Sequence, residues 1–218
     1  MKESLSRPKI VIISGVLVLA CIIAGISLAN RLGPFKSSDV LDAASGYGMR
    51  SLTFEEYQRR NDAGSFNTEE WENLFKSPTY FHTKDASQAN QAYAKYYELE
   101  ITDVPGLEEF AELAAPKAGF DLTFMKMTSK ESARKTYDRW SQYWMEDEDT
   151  KGYSGKKGGY TYTVAYYPAS EGYRYFGMYL KKDTFIYIDS LVTDDSDLKC
   201  LEYFCKKLHL VSPVTSKK

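Results

Sequence analysis

Residues 10–29, IVIISGVLVLACIIAGISLA, lack the mixture of apolar and polar positions found along the rest of the chain, and carry no charge over twenty positions. Coiled as an α-helix, a run of that length reaches about 30 Å, the hydrocarbon thickness of a bilayer. It predicts one N-terminal transmembrane helix, with residues 1–9 as a cytoplasmic tail. Lys2, Arg7 and Lys9 precede it, and Arg31 and Lys36 come after it. That imbalance leans toward an inside N-terminus and a C-terminal domain outside the cell membrane. Gly33 and Pro34 suit the end of a helix.

Two other readings of the same run compete. Ser27, Leu28 and Ala29 place small residues where a signal peptidase cuts, although the apolar core before them is unusually long. Cys21 after Val18, Leu19 and Ala20 resembles a lipidation box, but Ile22, Ile23 and Ile26 continue the apolar run where a lipoprotein turns polar. All three readings export the C-terminal domain.

Downstream, residues 30–52 hold Gly, Pro, Ser and Asp with few large apolar groups, and read as a tether. Thr53 and Glu56 have capping-box spacing, predicting a helix to about Asp62 closed by Gly64. Asn67 and Glu70 open a second helix with Trp71, Leu74 and Phe75 on one face, which Pro78 stops. Strands are expected over 79–85 and 93–101, where Tyr97, Leu99 and Ile101 alternate with Glu98 and Glu100. Pro105 and Gly106 turn the chain into a short helix over 107–115, and Phe120, Leu122 and Phe124 alternate as a third strand.

Thr128 and Glu131 repeat the capping spacing ahead of the clearest helix, in which Ala133, Tyr137, Trp140 and Trp144 form one stripe. An aromatic stripe of this kind reads as core, with a ligand platform as the alternative. The acidic run 146–149 ends that helix, and the glycines of 152–159 mark a solvated, hairpin-like connection. Strands over 160–167, 173–180 and 184–191, joined by short turns, make an antiparallel meander. Thr193 and its acidic neighbours cap a last helix over 195–208, with Leu198, Leu201, Phe204, Cys205 and Leu208 along one side. The fold class is therefore α+β, an antiparallel sheet with packed helices, in one extracytoplasmic domain over 53–210 with a flexible tail over 211–218.

Charge changes this picture little. The 28 basic and 30 acidic side chains leave a net charge of -2, without the basic surplus of a nucleic-acid binder. Two histidines make metal or general-base chemistry a poor expectation, and no cofactor or metal site is implied. Cys200 and Cys205 lie about 140° apart around a helix, a poor geometry for a mutual disulfide, so one buried and one half-buried thiol are expected. The glycines and lysines of 152–159 lack P-loop order, and the acids near 194 lack the order of an EF-hand.

Tyrosine is the conspicuous residue, with 18 copies. Tyr160, Tyr162 and Tyr166 share one face of the first meander strand, and Tyr173, Tyr175 and Tyr179 one face of the second. Ordinary sheet packing explains such a ladder. Left open to solvent, it would instead be a recognition surface for a peptide, a glycan or an envelope protein. The leading expectation is thus a binding domain without catalysis. The rivals are an extracytoplasmic enzyme using His82 with an acid such as Asp85, and a structural subunit of an envelope complex.

The order of pieces carries one resemblance. The capped helix TEEWENLF over 68–75, a strand ending in Asp85, Ala86 and Ser87, an aromatic strand followed by SARKTY over 132–137, and a closing hairpin with a helix resemble small membrane-anchored or lipoprotein-like ectodomains of Gram-positive bacteria. The likeness covers about 66–210. It implies location and class, and brings no catalytic residues with it.

Overall fold

The structure, a computed structural model, describes residues 33–60, 76–97 and 104–217. The chain divides into Met1–Pro34 and Phe35–Lys218, and almost all of the first unit lies outside the described residues. So do the transmembrane helix expected over 10–29 and the helix expected to open at Asn67. Among the described residues no helix is long and apolar enough to cross a membrane.

The second unit is α+β. Helix α1 (Ser37–Gly46), strand β1 (Arg50–Leu52) and helix α2 (Phe54–Arg60) come first. Strand β2 (Thr79–Thr83), helix α3 (Ala86–Tyr96) and strands β3 (Leu107–Ala115) and β4 (Phe120–Met127) come next. Helix α4 (Lys130–Met145) then leads to β5 (Lys151–Lys157), β6 (Tyr160–Pro168), β7 (Tyr173–Lys181) and β8 (Thr184–Val192), and helix α5 (Asp195–Lys207) to a short 3-10 turn (Pro213–Lys217). The eight strands form one sheet in the order β1-β2-β3-β4-β8-β7-β6-β5. Only β1 and β2 run parallel. The expected meander is present as β6, β7 and β8, each paired antiparallel with the next.

Both faces of the sheet are covered, which makes three layers. On one face Val40, Ala43 and Ala44 of α1 and Leu201, Phe204 and Cys205 of α5 bury Phe120, Leu122, Ile186 and Ile188. On the other, Tyr57 of α2, Ala89 and Tyr93 of α3, and Ala133 and Tyr137 of α4 bury Phe110, Met125, Phe176 and Phe185.

Several elements differ from the expectation, each for a physical reason. The tether expected over 30–52 holds α1 and β1 from Ser37 onward. Its small residues seat closely on the sheet, where Val40, Ala43 and Ala44 are buried. The strand expected from Tyr93 is instead the end of α3: Asp85 caps it by accepting a hydrogen bond from the Gln88 amide at 3.0 Å, and Ala89, Ala92 and Tyr93 bury one helical face. The helix expected over 107–115 is β3, an inner strand. Buried on both faces except at Glu108, it shows no alternation, and Glu109 and Glu112 are buried among its apolar residues.

The glycine-rich connection is mostly strand β5, and only Gly158 and Gly159, at φ 58° and 84°, make the turn into β6. At α4 the cap is Ser129, one residue later than expected, accepting from the Ser132 amide. The Thr53 and Glu56 capping box and the acidic cap of α5 are present, with Asp194 as the capping residue of α5. The tail expected over 211–218 is docked: Pro213 is buried, and Val211 and Val214 pack on the core. Cys200 and Cys205 are free and both buried.

Candidate functional site

The two tyrosine faces coincide, so the ladder forms. Tyr162 stands opposite Tyr179, Tyr166 opposite Tyr175, and Tyr173 opposite Pro168. Three of its members are not free to recognise anything. Tyr179 is fully buried, and Tyr160 and Tyr175 nearly so. The C-terminal segment covers two of these: the Tyr179 hydroxyl donates to the Val211 carbonyl at 2.6 Å, and Tyr160 donates to the His209 carbonyl and accepts from the Val211 amide. Burial raises the Tyr179 phenol well above its ordinary value and pushes Tyr160 up to about 12. Tyr162, Tyr166 and Tyr173 are half-buried and pack against the same core. The ladder is a structural seam between the sheet and the chain's last residues.

His82 does meet a carboxylate, but Glu109 of β3 at 2.7 Å rather than Asp85, which is occupied in capping α3. Burial would raise the Glu109 carboxyl; hydrogen bonds from Ser37 and His82 outweigh it and hold the group below its ordinary range. Ser37 thus serves the carboxylate and not the imidazole, the wrong order for an activated nucleophile. The two cysteines are no better placed, since burial pushes Cys200 up to about 11 and Cys205 to about 12. Among the described residues no group of three or more His, Cys, Asp or Glu side chains converges to hold a metal ion.

The opposite face of the sheet carries a different feature. Helices α3 and α4 lie side by side there, and a cavity of about 370 Å³ is lined by Tyr93, Tyr97, Pro105, Thr136, Arg139, Trp140, Tyr143 and Trp144. Spacings of three and four residues bring the contributors of each helix to one side. Tyr97 and Tyr187 each lie 4.9 Å from the Trp140 ring, and Trp144 stacks on Phe176 at 3.7 Å. Tyr143, at the rim, is 65% exposed. The Trp144 indole N–H is buried; it acts on the nearby Tyr187 phenol without reaching hydrogen-bond geometry.

Charge is unevenly placed around this cleft. Among the described residues Arg139 is the one charged residue in its lining. It is exposed and makes no ion pair among the described residues, and its positive field reaches the Tyr93 phenol. Deeper on the sheet Arg60 pairs with Glu112, which also accepts from the Tyr57 hydroxyl at 2.7 Å, and Arg174 grips Asp189 through two hydrogen bonds. Among the described residues Asp121 of β4 has no such partner. Burial, then the neighbouring Glu112 and Asp189, push its carboxyl up to about 7.

Sequence reasoning places Trp140 and Trp144 on one stripe but reads them as core, and cannot see the cleft. The other wall, Tyr93 and Tyr97, reads as strand, so nothing suggests that these rings face α4. The available signal is Arg139 and Tyr143 beside the tryptophans, a polar and an aromatic residue flanking a stripe already complete without them. Searched against models of known protein families the chain matches none, and no curated protein sequence matches it either.

Proposed function

We propose that this protein is a membrane-tethered extracytoplasmic domain that binds a small ring-bearing ligand between α3 and α4 and performs no chemistry on it. The observation that carries the binding reading is the cleft itself: five aromatic side chains around a cavity of about 370 Å³, within the size range of small-molecule sites. Stacked rings offer flat contact area at small entropic cost, and Thr136, Arg139 and the tyrosine hydroxyls supply polar groups for orientation. The tether rests on the uncharged run 10–29.

A neutral ring probe tests the cleft. Full-length protein in lipid nanodiscs, titrated calorimetrically with 2-naphthamide, is expected to bind, and Tyr143→Ala, a change at an exposed rim position, to weaken binding about tenfold. Absence of binding by the unaltered protein would sink the reading. Location is tested by adding protease to intact cells: the domain is cut if it lies outside, and survives until lysis if it does not.

A further inference from the structure

We infer that the cleft between α3 and α4 selects organic anions, taking a flat ring that bears a carboxylate and pairing that carboxylate with Arg139. This deepens the binding role proposed above and rests on it. The first support is the wall: among the described residues that line it, the single formal charge is positive and none of the eight is acidic.

The second is the state of that charge. Along the exposed side of α4 the cations Arg134 and Lys135 are neutralised within the helix, Arg134 by Asp138 and Lys135 by Glu131, each four residues apart. At Arg139 the helix offers no such acid, because the residues three and four away are Thr136, Gln142, Lys135 and Tyr143. Its guanidinium stands at the lip of an aromatic cavity, its fork engaged in no ion pair among the described residues, and a carboxylate is the group that fork fits best.

An organic cation is the competing occupant, since aromatic walls also attract cations. The acids beneath the cleft do not favour it. Glu112 and Asp189 are each matched by an arginine, and Asp121 keeps its proton through much of the range up to neutrality. Among the described residues around the cleft, the charge left without an opposite partner is the positive one of Arg139.

Three probes with one ring and three charges separate these cases: 2-naphthoate, 2-naphthamide and 2-naphthylmethylammonium, titrated calorimetrically into the full-length protein in nanodiscs at low salt. Naphthoate is expected to bind about tenfold tighter than the amide, and the ammonium weakest. Arg139→Gln should bring naphthoate down to the amide without shifting the melting temperature, and Arg139→Lys should keep part of the preference. Equal binding of naphthoate and amide overturns the anion preference and leaves the cleft standing. Tightest binding by the ammonium overturns it in favour of a cation. Binding by none of the three overturns cleft and preference together. Benzoate and glucuronate as competitors distinguish a flat arene from a puckered pyranose as the ring; displacement of naphthoate by benzoate supports the inference, and displacement by glucuronate alone, or by neither, counts against it.

Discussion

Asp121 shows how one side chain in this fold works against stability. An unfolded Asp releases its proton near 3.8, whereas this one, buried beside Glu112 and Asp189, keeps it to about 7. The folded protein therefore binds more protons than the unfolded one between those values, and stability falls as pH rises through them. Well below 3.8 the carboxyl is neutral in both states and costs nothing. Asp121→Asn removes the penalty, so we expect the variant to be more stable than the parent by about 2 kcal/mol at pH 8 and indistinguishable from it at about pH 2.5. Half the full linkage value is taken because the carboxyl keeps partial contact with solvent. Urea midpoints of both proteins at the two pH values check this; an equal gap at both would show that the effect is not titration.

At the scale of elements, glycine and tyrosine are matched across β5, β6 and β7. A Cβ on Gly177 would lie 2.3 Å from the Tyr179 hydroxyl, and one on Gly155 2.6 Å from that of Tyr162. The absence of a side chain is what lets each ring lie flat on the sheet. Gly177→Ala should cost about 2 kcal/mol, because Tyr179 is locked by its bond to Val211 and cannot step aside; thermal melts measure it. The same pairing explains which elements are legible in the sequence. Strands β6 to β8 announce themselves through alternation and short turns. Strand β5 does not, since Gly152 and Gly155 look like loop residues until the close approach of Ala165 to the one and of Tyr162 to the other is known. Strand β3 has both faces buried and loses its period, and α3 carries tyrosines and alanines that fit either structure until Asp85 is seen to cap it. The tyrosine faces are readable, but their cover is not: residues 211–217 are too few to show a pattern of their own.

For the whole molecule, those last residues are part of the fold. Ending the chain at Leu210 removes the Val211 carbonyl and amide that hold Tyr179 and Tyr160. We expect that truncation to lower stability by about 2 kcal/mol, a figure for two lost hydrogen bonds, and to make Tyr160 and Tyr179 reactive to tyrosine nitration. A tail that merely trailed in solvent would change neither measurement.

The two rims of the sheet are unlike each other and equally unwelcoming. At one end β1 offers only three residues; at the other β5 presents Lys151, Lys156 and Lys157 on exposed positions. Lysines set along a last strand repel a like strand approaching to pair with it. Many copies confined to a small area would therefore slide past one another instead of zipping into fibrils, so local crowding does not feed aggregation.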